Sequence, residues 1–187
     1  MSAQRRTTFL VLSLLAIAVL PACAATPATP DNTEEFVLVA PEIDADGYLP
    51  DSARGNVEEY CGDGDNVSPR FEWTGVPEGT ESYVLLMTDP NYAAYDHWVV
   101  TGIPGELTEL PGAADGAIGV GVVGTNSRGP GDYVGPCQAD NGYRYTLYAL
   151  DTEIAGDETT TRDEAVDLMD GHVLAEAFVE AKAHAPR

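Results

Sequence analysis

The chain has 187 residues, and 31 acidic against 9 basic side chains give it a formal net charge of −22. A nucleic-acid-binding protein needs a basic surface that replaces counterions on phosphates, so this composition argues against DNA or RNA as a partner. It also argues against attraction to anionic lipid. The length is enough for one domain with its own core. The acidity fits a solvated surface, a cationic partner or a high-salt habitat, and the sequence alone does not separate these.

The first 22 residues are predicted to be an export signal. Arg5-Arg6 precede an apolar run that ends in Leu20-Pro21-Ala22-Cys23. A basic start, a short apolar region and a small residue before the cut are typical of secretory signals, and the run is too short for a good spanning helix. The end of the run resembles the lipobox of bacterial lipoproteins, which implies cleavage before Cys23 and a lipid on its sulfur. Cleavage a few residues later, without a lipid, is the alternative.

The sequence predicts two further parts. Residues 23–35 contain Thr, Pro, Ala, Asp and Asn without periodicity, which favours a flexible tether. Residues 36–187 are predicted to form one globular domain. We therefore expect an exported protein, anchored by its lipid at the cell surface or the outer face of the cytoplasmic membrane.

Short apolar runs predict β-strands in the first two thirds of this domain. Phe36–Val39 and Phe71–Trp73 are short strands, and Ile118–Val123 is a strand interleaved with glycine. Ser82–Ile103 is expected to be a hairpin with a bend of proline, asparagine and aromatic residues. Tyr143–Leu150 is the clearest strand, because its side chains alternate between two faces.

The predicted hairpin brings Asp89 and His97 to the same end of its two strands. A carboxylate and an imidazole at this place can form a ligand site, or only a turn with a satisfied histidine. The pair could also be two thirds of a hydrolase triad with Ser68 or Ser127 as nucleophile, although the spacing gives this idea no support.

Two helices are predicted near the C-terminus. Thr161 and Glu164 have the spacing of a capping box for a helix that runs to about Met169, where Gly171 then breaks it. A second, amphipathic helix is expected from apolar residues at i, i+3, i+4 and i+7, which are Leu174, Ala177, Phe178 and Ala181. Strands followed by helices predict a mainly β domain with C-terminal helices packed on it.

Several motifs in register resemble those of the phosphatidylethanolamine-binding protein family, in its prokaryotic Raf kinase inhibitor-like branch. The resemblance runs from about Phe36 to Phe178. Its motifs are Asn66-Val67-Ser68-Pro69, Trp73, Val76-Pro77-Glu78-Gly79-Thr80, Asp89-Pro90, Asp96-His97-Trp98-Val99-Val100, Gly124-x-Asn126, Tyr133-x-Gly135-Pro136-Cys137, Arg144-Tyr145 and Asp170-Gly171-His172.

The resemblance implies a Greek-key β-sandwich with C-terminal helices, no catalytic cofactor, and a small anion pocket at one end of the sandwich. By position, its wall would consist of Asp89, Pro90, His97, the Gly135-Pro136 backbone and Tyr145. Asp89 would orient His97, and Tyr145 would donate its hydroxyl; no lysine or arginine would be needed.

Two departures from the family pattern change this pocket. Asn91 stands where the family usually has aspartate, and Tyr143 stands where it usually has a histidine. The pocket thus exchanges an imidazole for a phenol, which predicts lower anion affinity or a different ligand.

The three cysteines are far apart and, like the three histidines, lack metal-ligand spacing, so no metal site is expected. If Cys23 carries a lipid, an exported domain retains one pair, Cys61 and Cys137. A disulfide between them is the economical interpretation, and two buried thiols are the alternative.

These patterns predict a binding protein without enzymatic activity, whose partner is a small anion or phosphorylated head group. The alternative is an interaction protein that inhibits an exported enzyme through the rim of the pocket. The only membrane contact expected is through the lipid on Cys23.

Overall fold

The computed structural model describes residues 34–57, 61, 64–114, 116–139 and 141–185. The predicted signal peptide, the lipid-attachment residue Cys23 and most of the predicted tether lie outside these ranges. None of the helices in the described ranges has the length and apolarity needed to span a bilayer.

The described domain is built mainly from short and medium β-strands. In chain order they are β1 (Val37–Val39), β2 (Val67–Ser68), β3 (Phe71–Thr74), β4 (Ser82–Thr88), β5 (Asp96–Pro104), β6 (Glu109–Leu110), β7 (Ala113–Ala114), β8 (Val122–Val123), β9 (Thr125–Asn126), β10 (Gly129–Pro130), β11 (Gly142–Leu150) and β12 (Val173–Lys182). A 3-10 turn spans Asp51–Ala53, and helix α1 spans Arg162–Met169.

Antiparallel pairing joins most of these strands into two main sheets. The larger sheet has five strands in the order β12-β11-β4-β5-β8, and the smaller has three in the order β1-β3-β6. Two short ribbons, β9-β10 and β2-β7, complete the pairing. The predicted hairpin is confirmed as β4 and β5, which pair from Ser82 with Pro104 to Thr88 with Asp96.

Two apolar cores cover both faces of the larger sheet. The main core combines residues of both sheets, including Trp73, Leu85, Trp98 and Leu147. A smaller core on the other face packs Val84, Leu86 and Val99 against residues of α1 and the segment before it. Strand β4 is therefore buried on both faces from Ser82 to Met87, which explains its continuous apolar run.

The predicted first helix is confirmed together with its cap. The Thr161 side chain accepts a hydrogen bond from the Glu164 backbone N–H, and the Glu164 side chain accepts one from the Thr161 N–H, which completes the capping box. Gly171 follows the helix with φ of 80°, a left-handed conformation that suits glycine.

The predicted second helix is wrong, because residues 173–182 form strand β12. This strand pairs with β11 from Gly142 with Lys182 to Leu150 with Val173. Ala177 and Ala181 point into the core, whereas Leu174 and Phe178 are 40% and 52% exposed. Residues four apart lie on the same face of both a helix and a strand, so that spacing does not distinguish the two. Residues three apart lie on the same face of a helix but on opposite faces of a strand, as residues 174 and 177 do here.

The predicted strand over Ile118–Val123 is reduced to β8. Gly119 and Gly121 have φ of 76° and 66°, which interrupts an extended strand. The described domain is thus mainly β with one α-helix. The Greek-key connectivity stays a prediction.

Candidate functional site

A cavity of about 570 Å³ opens at the end of the larger sheet where β4 ends and β5 begins. Residues from four regions meet there: the segment after the 3-10 turn, the β4–β5 turn with the start of β5, the β9–β10 ribbon and the segment before β11. Its lining residues are Val57, Cys61, Asp89, Tyr92, Tyr95, His97, Ser127, Arg128, Val134, Gly135, Cys137, Gln138 and Tyr143.

Of the residues predicted for the site, the structure brings Asp89, His97, Gly135 and Tyr143 together at this cavity. Asp89 and His97 are 4% and 6% exposed. The hairpin therefore does place the carboxylate and the imidazole at one end of the sheet, as its two strands require.

Three other predicted residues do not line the cavity. Pro90 is exposed beside it, and Pro136 is buried with its carbonyl accepting a hydrogen bond from the Gly55 N–H at 3.1 Å. Tyr145 lies in the main core, where its hydroxyl is 3.0 Å from that of Tyr133. Its neighbour Tyr143, two residues earlier on the same face of β11, is the phenol that reaches the cavity.

The expected orientation of His97 by Asp89 is not found. Nδ1 of His97 lies 2.7 Å from the backbone oxygen of Val134. Asp89 Oδ1 instead accepts hydrogen bonds from the backbone N–H groups of Asn91 and Tyr92, at 2.8 and 3.1 Å. The carboxylate thus shapes the turn, while a backbone carbonyl holds the imidazole.

The second oxygen of Asp89 belongs to an amide network. Asn141 donates to Asp89 Oδ2 at 2.5 Å, and Asn91 donates to Asn141 Oδ1 at 2.6 Å. Asn91, one of the departures from the family pattern, therefore links the β4–β5 turn to the segment before β11. Both carboxylate oxygens of Asp89 thus accept hydrogen bonds from the protein itself.

Gly135 contributes close packing and not the predicted free N–H group. Its N–H donates to Asn66 Oδ1 at 2.8 Å. A Cβ added at Gly135 would lie 2.5 Å from both the Ala53 oxygen and the Gly55 nitrogen. Only glycine allows the two backbone segments to come this close.

Arg128 lines the cavity and was not among the residues predicted for the site. It lies with Ser127 in the tight turn of the β9–β10 ribbon, and its N–H donates to Asn126 Oδ1 at 2.8 Å. The ribbon is attached beside His97, because Ser127 Oγ accepts from the Asp96 N–H at 2.8 Å and the Ser127 N–H donates to the Asp96 oxygen. The Gly124-x-Asn126 motif, which ends two residues before Arg128, is the sequence feature that could have indicated this residue.

Arg128 also differs from the other arginines in the described part of the chain, because no carboxylate of a described residue lies within 4.0 Å of its guanidinium. The others pair with acids: Arg54 with Asp51, Arg70 with Glu72 and Glu109, Arg144 with Glu180, and Arg162 with Asp96 and Asp163. In a chain with 31 acidic residues, an unpaired guanidinium at a cavity is available for an anion.

Two phenols add hydroxyl groups to the cavity. The Gln138 N–H donates to the Tyr143 hydroxyl oxygen at 3.2 Å, which leaves the hydroxyl proton of Tyr143 for another acceptor. Burial raises the pKa of Tyr95, whereas the nearby Arg128 charge opposes this shift. The hydroxyl groups of Tyr95 and Tyr143 can therefore both donate hydrogen bonds at the cavity.

Desolvation by burial lowers the pKa of the His97 imidazole, against the opposing influence of the Val134 hydrogen bond and the Asp89 and Asp96 charges.

Asp89 and His97 do not form part of a hydrolase triad, because Nδ1 of His97 bonds to a backbone carbonyl. Ser68 lies away from the cavity, with its hydroxyl accepting from the Ala113 N–H. No group of three or more His, Cys, Asp or Glu residues suited to a metal occurs in the described ranges.

A disulfide forms one wall of the cavity. Cys61 and Cys137 are bonded in the structure, 76 residues apart in sequence, with a Cα–Cα distance of 4.3 Å. The bond connects the segment after the 3-10 turn to the Gly135 segment. Both cysteines thus contribute to the site through the backbone segments that they join.

The comparisons with known proteins agree with this architecture. Residues 39–184 match the family model described as phosphatidylethanolamine-binding protein. A UPF0098 protein of Methanothermobacter thermautotrophicus is 37% identical over 136 residues, which cover 66% of this chain and 87% of that protein. A UPF0098 protein of Chlamydia pneumoniae is 32% identical over 129 residues, 64% of this chain and 84% of the relative.

A similar solved structure is the crystal structure of Escherichia coli YbcL, a protein described as a new member of the mammalian PEBP family. It superposes with a TM-score of 0.70 at 28% identity and covers 81% of this chain and 99% of that chain. Sequence and fold therefore agree, and the chain belongs to the phosphatidylethanolamine-binding protein family.

Proposed function

We propose that the protein binds a small anion, such as phosphate or a phosphorylated head group, in the cavity at the end of the larger sheet. The observation that carries this proposal is Arg128, an arginine with no carboxylate within 4.0 Å among the described residues, at a cavity that also contains His97 and Tyr143. A guanidinium beside neutral hydroxyl donors is a common arrangement for oxyanion recognition.

Calorimetric titration with inorganic phosphate tests this function. Arg128→Gln is expected to weaken binding about tenfold or more, because the charge-assisted hydrogen bonds are lost. Arg144→Gln is the matched control, since it removes the same charge from an exposed arginine that is paired with Glu180. Absence of phosphate binding to the unmodified protein, or equal weakening by both variants, would reject the proposal.

We further propose that the protein acts outside the cytoplasm, anchored by a lipid on Cys23. This rests on the basic residues, the apolar run and the Leu20-Pro21-Ala22-Cys23 motif. Intact-mass measurement of the protein purified from a membrane fraction should show an acylated N-terminal cysteine. A mature N-terminus beyond Cys23 would contradict the anchor and leave the anion proposal untouched.

A second candidate function is binding of a protein through the rim of the cavity, without catalysis of a reaction. Tyr92 lines the cavity and is 63% exposed, close to where Arg128 lies. Exposed tyrosine and arginine are the residue types most enriched at binding hot spots. Crosslinking of an exported partner that is lost in Tyr92→Ala, while phosphate affinity is retained, would favour this second role.

A further inference from the structure

The tautomer of neutral His97 is fixed by its partner. Nδ1 lies 2.7 Å from the Val134 oxygen, which is a carbonyl and can only accept. Nδ1 must therefore carry the hydrogen. In the neutral ring, Nε2 then carries a lone pair and no hydrogen, and no residue in the described part of the chain bonds to it. The imidazole thus offers the cavity an acceptor.

A buried amide holds this arrangement in place. Asn66 donates from Nδ2 to the Tyr133 oxygen at 2.7 Å and accepts at Oδ1 from the Gly135 N–H at 2.8 Å. Because Tyr133 offers an acceptor and Gly135 a donor, these partners also determine which way the amide points. Asn66 thus bonds to the backbone on both sides of Val134. The Val134 N–H itself donates to the backbone oxygen of His97 at 3.0 Å.

Asn66 is also unusual in its backbone. Its φ of 55° is the only positive value among the described non-glycine residues. Asparagine tolerates this left-handed conformation better than most residues. The conformation places its short side chain where it can reach both flanks of Val134, so Asn66 is a positioning residue that acts through the Val134 carbonyl.

The remaining groups around His97 determine its charge. Asp89 and Asp96 favour the protonated ring, while burial, the largest influence, favours the neutral ring and lowers its pKa. Tyr95 and Tyr143 place their rings 4.9 and 5.1 Å from the imidazole. Asp89, Tyr95 and Tyr143 line the cavity together with Tyr92 and with Arg128 on the β9–β10 ribbon, whereas Asp96 acts on His97 from outside the lining.

The site therefore contains one acceptor among several donors. Arg128 and the Tyr143 hydroxyl suit the unprotonated oxygens of an anion. A fully deprotonated oxyanion, however, would place an oxygen lone pair against the Nε2 lone pair. An anion that retains one O–H group can donate this hydrogen to Nε2 and satisfy it.

Resting on the proposed anion-binding function, we propose that the cavity selects oxyanions that carry a proton. Hydrogen phosphate and singly protonated phosphate monoesters meet this requirement. Sulfate, phosphate diesters and carboxylates at neutral pH do not, because they have no hydrogen to donate. The site would thus take hydrogen phosphate or the singly protonated form of a phosphate monoester and discriminate against the diester of an intact phospholipid.

Phosphate and sulfate at pH 7.5 provide the sharpest test, because both are mainly dianions of similar shape and differ by one proton. We expect the unmodified protein to bind phosphate about tenfold more tightly than sulfate, since sulfate leaves Nε2 unpaired. Dimethyl phosphate should bind as weakly as sulfate. Methyl phosphate, whose second pKa is about 6, should bind more weakly as the pH rises from 6 to 8.

Two variants test whether His97 and Asn66 produce this selectivity. In His97→Gln the amide can turn either its donor or its acceptor to the ligand, so the phosphate-to-sulfate ratio should fall to about twofold or less. Asn66→Gly keeps the left-handed backbone accessible and removes only the amide, so it should lower the same ratio. Nitrogen-15 NMR should show Nδ1 of His97 protonated in the unmodified protein and a changed tautomer equilibrium in Asn66→Gly.

The outcomes are distinguishable. Binding of phosphate and sulfate within twofold of each other, with loss of both in Arg128→Gln, overturns the proton selectivity and leaves the anion function standing. A neutral His97 protonated at Nε2 also overturns the selectivity, even if Asn66→Gly does not fold. Failure of every anion to bind rejects the proposed function and this inference with it.

Discussion

Tyr133 and Tyr145 share a hydrogen bond of 3.0 Å between their hydroxyl groups, and both residues are completely buried in the main core. Tyr133 also donates to the Ala53 oxygen at 3.1 Å. The Tyr145 hydroxyl must then donate to Tyr133, because Tyr133 has only one hydrogen to give. Tyr145 thus holds the Tyr133 hydroxyl in the main core, although its sequence position suggested a ligand contact.

The two tyrosines on one face of β11 should consequently behave differently. We expect Tyr145→Phe to lower the free energy of unfolding by about 1–2 kcal/mol, because the buried Tyr133 oxygen loses a partner. Phosphate affinity should remain within about twofold. Tyr143→Phe should instead weaken phosphate binding several-fold with little change in stability. Urea unfolding and calorimetry of both variants measure this contrast, and the reversed pattern would contradict the assignment of the cavity donor.

Gly135 is expected to be needed for close packing of the backbone. In Gly135→Ala the new methyl group would lie 2.5 Å from the Ala53 oxygen and the Gly55 nitrogen. Because neither backbone atom can move freely, we expect a loss of about 2 kcal/mol or more in stability. Gly142→Ala is the control, since nothing lies within 4 Å of a Cβ there, and its change should stay within about 0.5 kcal/mol. Similar losses in both variants would disprove the packing argument.

The disulfide between Cys61 and Cys137 leads to a separate prediction about the domain. The unreduced domain should contain no alkylatable thiol at Cys61 or Cys137, and the double variant to serine should be less stable by about 2–4 kcal/mol. Peptide mass spectrometry after alkylation, with and without reductant, checks the first statement. Two alkylated cysteines in unreduced protein would show that the thiols are free.

Burial of His97 predicts a pH dependence of stability with a definite sign. Its folded-state pKa is lowered by desolvation, so the unfolded chain binds this proton more readily. The stability of the domain is therefore complete above the unfolded pKa of about 6.5 and decreases as the pH falls towards the folded pKa. Urea titrations at pH 7.5, 6 and 5 should show a smaller decrease in His97→Gln. A difference between the two proteins that does not change with pH would contradict this.

Local patterns predicted the parts of the fold that depend on neighbouring residues. The hairpin that carries Asp89 and His97, the alternating strand β11 and the Thr161 cap each follow from a short stretch of sequence. Strand β12 did not, because spacing by four fits both a helix and a strand. Pairing with β11 over nine residues decides between them, and this contact is distant in sequence.

The site was predicted only in part for a similar reason. Family register indicated Asp89, His97 and Tyr143, but it assigned them roles that depend on hydrogen bonds from elsewhere. The Val134 carbonyl bonds to His97, for which Asp89 was the expected partner. The Asn66 amide accepts from the Gly135 N–H, which was expected to face a ligand. Arg128 lies at the cavity because the β9–β10 ribbon bonds to Asp96 through Ser127. This contact joins residues that are distant in sequence, so no local pattern predicts it.

The double burial of β4 has a consequence for how the cavity moves. Amide hydrogens from Tyr83 to Met87 lie between two neighbouring strands and beneath two apolar cores, so they should exchange only when the whole domain unfolds. Asp89 follows this strand directly, and His97 is the second residue of the neighbouring strand β5. The cavity wall that they form is thus attached to the part of the domain whose amide hydrogens should exchange most slowly.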